Sequence, residues 1–211
     1  IDKMSVILHI ESATEGCSVA VSQDGELLFD KHDSSVNNNA VTLGVFVDEA
    51  LALADSRGIL LDAVAVSEGP GSYTGLRIGV SMAKGICYGR EIKLLSVSTL
   101  KLLCVPALLN MDLPDEALLC PMIDARRMEV YSAIYDRALQ TIRPIGADIV
   151  DADTYKEYLD KGPVYFMGNG AAKCKEIINH PNAHFIDNVK PLARWMFPLA
   201  EKAMSQKDFK D

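Results

Sequence analysis

The order of the apolar segments along the chain constrains its fold more than any other feature of the sequence. Three strands are predicted before the first helix, at residues 4–10, 17–22 and 26–31. The Asp24-Gly25 dipeptide joins the last two and is typical of a two-residue hairpin. Further along, helices are predicted at residues 40–56, 75–89 and 98–109, and strands at residues 61–67 and 93–97. This order predicts an α/β fold in which an antiparallel meander and parallel crossover units share one mixed sheet.

The second half of the chain has a similar rhythm of strand, strand, helix and strand, although no period of fixed length repeats. Strands are predicted at residues 118–124, 129–136, 164–167 and 183–186, and helices at residues 152–160, 171–178 and 191–206. The stretch at residues 110–116 contains Pro114 and three acids, so it is the best candidate for a boundary. We therefore expect an N-terminal subdomain at residues 4–109 and a C-terminal subdomain at residues 110–211, whose last helix could pack back on the first.

Charge and hydropathy argue against several classes of protein. The net charge is −8, with 29 acidic residues against 21 lysines and arginines, which opposes direct binding to nucleic acid or to an anionic membrane. No apolar run reaches the ~18 residues of a membrane-spanning helix, and no signal peptide is expected. The 5 cysteines are an odd number without a Cys-x-x-Cys pair, so we expect reduced thiols and a cytoplasmic protein.

The segment Glu68-Gly-Pro-Gly-Ser-Tyr-Thr-Gly-Leu-Arg77 is the densest motif, and it joins a predicted strand to a predicted helix. Its glycines permit close approach of the backbone, and the amides at the start of the helix could bind an anion. Its spacing does not fit a dinucleotide fingerprint or a P-loop, and Pro70 excludes a nucleophile elbow. Two interpretations stay open, a tight strand-to-helix turn and a contact site for a phosphate or a partner.

The helix predicted at residues 75–89 places Gly75, Gly79 and Ala83 four residues apart. Small residues at this spacing allow the backbone of a second helix to cross closely, within the fold or at an interface. The helix predicted at residues 40–56 is its natural neighbour, because apolar residues occur around most of its surface. That excess of apolar area suggests a protein partner.

Two loops could carry nucleotide chemistry, and each also has a plainer structural interpretation. Glu11, Ser12 and Thr14 lie at and after the end of the first strand as in the first phosphate loop of actin-like ATPases, although ordinary turn chemistry is the more common explanation of such a pattern. The Gly168-Asn169-Gly170 loop could lie beside a phosphate or could simply begin a helix.

Two further groups of side chains in the second half have weak functional interpretations. Asp124 lies close to two arginines, which is typical of a surface ion pair. His180 and His184 have the spacing of metal ligands on a helix, but Pro181 disfavours a helix there and no Glu or Cys nearby completes a ligand set. We therefore expect no metal site.

These motifs together resemble those of the TsaB (YeaZ) family, the bacterial partner subunit in threonylcarbamoyladenosine (t6A) modification of tRNA. Residues 68–77 are similar to the family signature Gly-Pro-Gly-Ser-[Phe/Tyr]-Thr-Gly-[Leu/Val]-Arg, which is a specific match. The resemblance is also strong at residues 7–21, 62–89 and 97–100, and it extends to residues 121–131. The chain departs from the family at Glu11, where relatives commonly have Asp, and at Asn39, where they commonly have His.

The resemblance implies an actin-like, Hsp70-like ATPase fold with two subdomains of ribonuclease-H-like topology and mixed sheets. It also implies a non-catalytic subunit, because the catalytic relative in this system is TsaD, which transfers the threonylcarbamoyl group to adenosine in tRNA. TsaB pairs with TsaD through its two N-terminal helices, and TsaE joins the assembly. For this chain we therefore expect TsaD and TsaE as partners, a homodimer in their absence, contact with tRNA only through the complex, and no membrane association.

The site residues that the resemblance implies fall into two sets. The partner interface would lie on the two helices, at Val41, Phe46, Val47, Leu76, Ile78, Val80 and Lys84. The signature loop comprises Gly69, Pro70, Gly71, Ser72, Tyr73, Thr74, Gly75 and Arg77. Within it, Arg77 would anchor the turn or meet an acid of the partner.

Two other functions stay open at the level of sequence. One is an active nucleotide-binding ATPase or kinase of the same fold, with a cleft lined by Glu11, Ser12, Thr14, Gly168 and Gly170. The other is a metallopeptidase, which the absence of stoichiometric zinc would exclude. For the scaffold subunit we expect no resident cofactor, with ATP or ADP bound only at a composite site formed with partners.

Overall fold

The antiparallel meander predicted at the start of the chain forms the first three strands of a sheet. The computed structural model describes residues 5–35 and 39–211. In it β1 (Val6–Glu11), β2 (Cys17–Gln23) and β3 (Glu26–Asp33) pair antiparallel. Asp24 and Gly25 have φ values of +56° and +77°, which is the hairpin geometry whose twist suits the two strands. The start predicted for the first strand at residue 4 lies outside the described residues.

The crossover units then extend the same sheet in parallel. They comprise α1 (Asn39–Ser56), β4 (Ala63–Gly69), α2 (Tyr73–Arg90), β5 (Lys93–Ser98) and α3 (Thr99–Asn110). The strand order is β3-β2-β1-β4-β5, with β4 parallel to β1 and β5 parallel to β4. The central strand β1 is buried along its whole length, as a strand that is covered on both faces should be. The predicted mixed sheet is therefore confirmed.

A second sheet repeats this topology strand for strand. Its elements are β6 (Leu118–Asp124), β7 (Glu129–Tyr135), β8 (Thr141–Ile149), α4 (Lys156–Leu159), β9 (Val164–Met167) and β10 (Ala183–Phe185). The order is β8-β7-β6-β9-β10, with the first three strands antiparallel and the last two parallel to β6. The repeat is one of topology, which explains why the sequence shows a shared rhythm and no fixed period.

Residues of β1 alternate between two apolar layers in the first unit. Val6, Leu8 and Ile10 belong to the cluster that includes the buried residues of α1 and α2. Ile7 belongs to a separate cluster, which contains Met196 and other residues from the end of the chain. The helix α5 (Phe197–Ser205) therefore belongs to the core of the first unit.

The boundaries of the two units differ from those expected. One unit comprises residues 1–102 and 191–211, and the other comprises residues 103–190. The boundary therefore falls inside α3, ahead of the polar stretch at residues 110–116. The terminal segment joins the first unit because Met196 and Ala200, both fully buried, pack with Leu95 and Leu102.

Three helices in the second half are shorter than the apolar pattern predicts. Of residues 152–160 only Lys156–Leu159 are helical, because the Asp151 carboxylate accepts the N–H of Asp153 and favours a turn. Residues 171–178 contain a single 3₁₀ turn at Ala172–Cys174. The terminal helix begins at Phe197 after another 3₁₀ turn, with a proline in its first turn.

The strand β8 is absent from the sequence prediction, and it brings a buried acid into the second unit. Pro144 and Gly146 interrupt its alternation, and the pairing with β7 contains bulges. Asp148 accepts hydrogen bonds from Ser132 at 2.5 Å and from the Tyr155 hydroxyl at 2.8 Å. Arg143 donates to both of its oxygens at 2.6 Å. Both oxygens of the Asp148 carboxylate therefore have hydrogen-bond donors, as the burial of a charge requires.

The described segments contain no helix with the length and apolar character to cross a bilayer.

Candidate partner-binding face and strand-end loops

The signature loop joins the end of β4 to the start of α2. Gly69 has a φ of +104°, a left-handed conformation that favours glycine, and its bond to Pro70 is cis. Ser72 is the N-cap of α2, since its side chain accepts the backbone N–H of Gly75 at 3.2 Å. The helix therefore begins at Tyr73, slightly earlier than the small-residue pattern predicts.

The turn after β1 lies directly against the signature loop. The backbone N–H of Ser72 donates to the carbonyl oxygen of Ala13 at 2.6 Å, and Ser12 Oγ donates to the carbonyl of Gly75 at 2.7 Å. A Cβ atom at Gly71 would lie 2.2 Å from Ala13 O, and one at Gly75 would lie 2.1 Å from Ser12 O. The motif therefore holds the turn at residues 12–13 by direct backbone contact, and we call this arrangement the β1 clamp.

The inward stripe of small residues on α2 continues along the sheet. A Cβ atom at Gly79 would lie 2.4 Å from Ser12 Oγ and 3.5 Å from a methyl of Val66 on β4. Gly75, Gly79 and Ala83 are all buried. The close approach that their spacing predicts therefore occurs within the fold, where these residues face the strands and the β1 clamp instead of a crossing helix.

Glu11, the last residue of β1, is buried beside the clamp. It is 2% exposed, and its Oε1 accepts the N–H of Ala13 at 2.6 Å. Burial raises the pKa of its carboxyl group to about 7, because the hydroxyl of Ser67 and the N–H of Ala13 offset only part of the desolvation. Ser12 is also buried and engaged by the clamp, whereas Thr14 is half-buried.

The second unit has a glycine loop at the equivalent place, after β9. Gly168 has a φ of +100°, close to that of the glycine that ends β4, and a Cβ on it would lie 2.2 Å from Met122 O. The N–H of Gly170 donates to the same carbonyl at 3.1 Å. Asn169 Oδ1 accepts the N–H of Asp124 at 2.8 Å. This loop therefore packs on the end of β6 much as the signature loop packs on the end of β1.

A lysine fills the space beside the acid at the end of β6. Lys173 Nζ donates to the Asp124 carboxylate and to the carbonyl oxygens of Arg127 and Glu129, at 2.6 Å and 2.7 Å. The hydrogen bond from Lys173 holds the pKa of Asp124 below its usual range. The expected pairing of this acid with the neighbouring arginines is therefore wrong, because the ammonium group of Lys173 reaches it from the helical turn after β9. Nothing in the local sequence signals this partner.

The residues of the expected nucleotide cleft are distributed over both units. Glu11, Ser12 and Thr14 lie in the first unit, and Gly168 and Gly170 lie in the second. In each unit they lie at the end of the central strand of the sheet, which is β1 in the first unit and β6 in the second.

The residues expected at the partner interface differ in exposure. Val41 is 68% exposed and Lys84 is exposed. The half-buried residues are Phe46, Leu76, Ile78 and Val80, and of these Phe46, Ile78 and Val80 pack partly against the core. Val47 is 5% exposed and belongs to the core beneath α1, so it has almost no surface to offer a partner.

A second stripe of small residues lies on the outward side of α2. Ser81, Gly85 and Gly89 are exposed, and outside the backbone of their own helix no described atom lies within 4 Å of a Cβ built at either glycine. Val45 of α1 is 49% exposed. The exposed residues of these two neighbouring helices, this stripe together with Val41 and Val45, are called the helix-pair face below. The outward stripe was not predicted, although its residues are also four apart in the sequence.

Charged and aromatic groups are also exposed on the same two helices. Arg90 of α2 donates to both carboxylate oxygens of Asp55 of α1 at 2.9 Å, which ties the ends of the two helices together. Tyr73 is 74% exposed, and the guanidinium of Arg77 lies 5.4 Å from its ring centroid. Tyr88 is 89% exposed. Exposed aromatic and arginine side chains of this kind are common at protein interfaces.

Residues 5–35 and 39–211 contain no group of three or more His, Cys, Asp or Glu side chains that could hold a metal ion. His180 Nε2 donates to the Asp160 carboxylate at 3.1 Å, and His184 stacks on Tyr165 with ring centroids 4.8 Å apart. All five cysteines are buried. The arrangement gives no support to a peptidase.

Comparisons with known proteins agree on one group of relatives. Residues 35–197 match the family model described as TsaD, tRNA N6-adenosine threonylcarbamoyltransferase. The tRNA threonylcarbamoyladenosine biosynthesis protein TsaB of Escherichia coli is 34% identical over 132 residues, which span 62% of this chain and 55% of that protein. TsaB of Bacillus subtilis is 27% identical over 175 residues, which span 82% and 74% of the two chains. The match thus spans about half of the Escherichia coli protein.

A solved structure reproduces the fold over nearly the whole chain. YeaZ from Pseudomonas aeruginosa superposes with a TM-score of 0.81 at 24% identity, covering 99% of this chain and 96% of that one. Together with the repeated sheet topology, this likeness confirms the expected actin-like, Hsp70-like ATPase fold with ribonuclease-H-like topology and mixed sheets.

Proposed function

Since the chain belongs to the TsaB (YeaZ) family, we propose that it acts in tRNA threonylcarbamoyladenosine biosynthesis as a non-catalytic partner subunit. In this role it binds and stabilises the catalytic subunit TsaD, and TsaE joins the assembly. Contact with tRNA occurs through the complex, because the net charge of −8 opposes direct binding to RNA. The complex acts in the cytoplasm. The names of the relatives support a role in threonylcarbamoyladenosine biosynthesis. The surface described next supports the binding of a partner subunit.

The helix-pair face is the observation that carries this proposal. Val41 and Val45 present apolar side chains to solvent, and the open glycines Gly85 and Gly89 leave the backbone of α2 accessible. A partner helix can approach such a surface closely, because no side chain separates the two backbones. Exposed apolar area on a helix pair is also costly in water unless a partner covers it. In the absence of TsaD, the same face would pair with a second copy of this chain.

The strand-end loops support a non-catalytic role. In the first unit Ser12 and the carbonyl of Ala13 form hydrogen bonds within the β1 clamp. In the second unit the ammonium group of Lys173 donates to the carboxylate of Asp124. Groups of the chain itself thus take the positions from which each loop could contact a phosphate. We therefore propose that the isolated chain holds no nucleotide, and that ATP or ADP binds only where partners complete a site.

Size-exclusion chromatography with light scattering tests the interface, using this chain mixed with TsaD of the same organism at micromolar concentration. We expect a one-to-one complex that Gly85→Trp abolishes, because an indole on the outward stripe would block a crossing helix without disturbing the core. Val41→Glu is a second variant, since it places a charge on the most exposed apolar position of α1. The half-buried Val80 is less suitable, because its substitution would also disturb the core.

Lys202→Trp is the matched control, because it adds the same side chain to an exposed position of α5. The proposed face is wrong if the complex survives both interface variants, or if the control dissociates it equally. Failure of the folded, unmodified chain to bind TsaD would contradict the proposed function itself. Binding of ATP by the isolated chain, measured by calorimetry and accompanied by turnover, would favour an active ATPase instead.

A further inference from the structure

We propose that Glu11 is a positioning residue for the helix-pair face. Protonation of its carboxyl group keeps the β1 clamp closed, with the turn at residues 12–13 packed against the first turn of α2. Loss of that proton would release the clamp and loosen the part of α2 that begins at Tyr73. Only the consequence for partner binding rests on the proposed function. The clamp itself is a property of the first unit.

A continuous set of hydrogen bonds connects Glu11 to α2. Glu11 Oε1 accepts the N–H of Ala13 at 2.6 Å, which fixes the turn after β1. The carbonyl of Ala13 then accepts the N–H of Ser72, the N-cap of α2. Ser72 in turn accepts the N–H groups of Gly75, through its side chain, and of Leu76, through its carbonyl at 2.8 Å. A shift of the turn therefore moves the cap of the helix.

The packing around this set leaves little room for partial adjustment. The backbone atoms of residues 12–13 lie where a Cβ at Gly71 or Gly75 would stand. Ser12 Oγ is held by the carbonyl of Gly75 at 2.7 Å. Close-packed elements of this kind tend to hold one arrangement or change to another, rather than deform continuously. The clamp is therefore suited to act as a two-state element.

The protonated form of Glu11 fits its surroundings better than the ionised form. Its Oε2 has no partner in good hydrogen-bond geometry among the described residues, and the nearby Ser67 hydroxyl offsets only part of the cost of burying the charge, so an ionised carboxylate would be poorly satisfied. Burial raises its pKa to about 7, and the hydrogen bonds from Ser67 and Ala13 offset this rise only in part. The polar groups that surround it are neutral or turned to solvent: Ser18 opposite on β2, Ser67 on β4, Ser12 in the turn, His9 on its own strand and the exposed Glu15.

His9 does not supply a charge to this region. It is fully buried, and burial lowers its pKa to about 3, so it stays neutral across the range in which Glu11 titrates. Its Nε2 shares a hydrogen bond with Ser22 at 2.6 Å. Glu11 is therefore the group whose ionisation changes the charge inside this face of the sheet near neutral pH.

The size of the expected effect follows from linkage. If the carboxyl titrates at about 7 in the closed clamp and at its ordinary value of 4.5 when hydrated, the ratio of open to closed clamp rises about tenfold between pH 6 and pH 8. The closed clamp is favoured at low pH, because the protonated acid carries no desolvation penalty there.

Amide hydrogen exchange measured by NMR on the isolated chain tests the clamp. Protection of the Ala13, Ser72 and Leu76 amides should fall about tenfold between pH 6 and pH 8, after correction for the intrinsic exchange rate. In Glu11→Gln, which is neutral at every pH and keeps the acceptor for Ala13, this fall should disappear. Glu15→Gln is the matched control, since it removes an exposed acid of the same turn and should retain the fall.

The carboxyl carbon of Glu11 can be titrated directly in the unmodified chain, which keeps the test valid even if Glu11→Gln does not fold. A midpoint below pH 5, or a pH profile that is identical in the unmodified chain and in Glu11→Gln, would overturn the proposal. A midpoint near 7 with a flat profile in Glu11→Gln supports it.

Binding to TsaD provides the second arm of the test. We expect affinity to fall between pH 6 and pH 8 for the unmodified chain and to change less for Glu11→Gln. A pH-sensitive clamp with unaltered binding would overturn the role of Glu11 in positioning the face, while leaving the proposed function intact. No binding at either pH would contradict the proposed function, while the amide result would still decide the behaviour of the clamp.

Discussion

Asp148 shows how one residue can organise a core that its own neighbourhood in the sequence does not reveal. It is 8% exposed and accepts hydrogen bonds from Ser132, Tyr155 and Arg143. Burial tends to raise the pKa of its carboxyl group, but these three donors outweigh that effect and hold the pKa below its usual range. The ionised acid therefore stabilises the folded second unit.

We predict that Asp148→Asn lowers the free energy of unfolding by about 2–4 kcal/mol at pH 7. The amide removes the charge that pairs with Arg143 and turns an N–H₂ group toward buried donors. Because the folded-state pKa is lowered, the stabilisation is present above the ordinary value of 3.8 and is lost as pH falls below it. Urea denaturation at several pH values measures the free energy of unfolding of the unmodified chain and of Asp148→Asn. The difference between the two should become smaller at acidic pH.

Asp153→Asn provides the control for this prediction, because Asp153 is an exposed acid close by in the sequence. It should change stability by less than about 0.5 kcal/mol. Equal effects of the two substitutions would mean that the buried network does not stabilise the fold.

At the scale of the element, α2 has two stripes of small residues with opposite roles. The inward stripe at Gly75 and Gly79 lies against the β1 clamp and the sheet. The outward stripe at Gly85 and Gly89 lies against nothing in the described structure. The same residue type is thus required by packing on one side of the helix, and on the other side it leaves the backbone open to a partner.

A matched pair of substitutions separates these roles. Gly85→Ala should stabilise the isolated chain by about 0.5–1 kcal/mol, since alanine is the better helix former and the site is open. Gly75→Ala should destabilise it by about 1–3 kcal/mol, because its Cβ would lie 2.1 Å from the carbonyl oxygen of Ser12. Chemical denaturation of both variants measures the difference. If both changes proved stabilising, the carbonyl of Ser12 would have to be free to move.

At the scale of the whole molecule, the end of the chain completes the core of the first unit. Met196 and Ala200 are fully buried and pack with residues of β1, β5 and α3. The polar stretch at residues 110–116 suggests a division into consecutive halves, but the second unit is instead an insertion between two parts of the first.

We predict that Met196→Ala destabilises the first unit by about 2–5 kcal/mol, the usual result of emptying a buried methionine site. Hydrogen exchange should show the loss of protection in β1 and β5. Met111→Ala is the control, because Met111 is 40% exposed and its truncation should have little effect. A loss of protection confined to β6 and β9 would contradict the assignment of residues 191–211 to the first unit.

The sequence predicts the fold well wherever local pattern and tertiary environment agree. The bounds of β6 and β9 match the prediction, and the hairpin at Asp24-Gly25 forms with the expected backbone. The prediction fails at β8, where Pro144 and Gly146 interrupt the alternation although the strand still pairs with β7. The short helices after β8 and β9 fail for the related reason that side-chain capping and 3₁₀ turns replace the helical hydrogen bonds.

The sequence predicts where the candidate site lies, but it predicts only part of what the residues of the site do. The motif at residues 68–77 marks the right loop, but the reason for its glycines is the turn at residues 12–13. Val47 was expected at the partner interface from the family resemblance, yet it lies in the core. Lys173 and Asp124 form an ion pair across a long stretch of chain, so no local pattern contains it.

The sequence by itself determined the order of every strand except β8 along the chain, the hairpin, the motif loops and the family, because these depend on backbone preferences and side-chain periods within one short segment. Tertiary structure alone decided which stripe of α2 is open, which unit receives residues 191–211, and how strongly Glu11 holds its proton. Burial and solvation depend on what distant segments bring into contact. That information is distributed over the whole chain and becomes local only when the chain is folded.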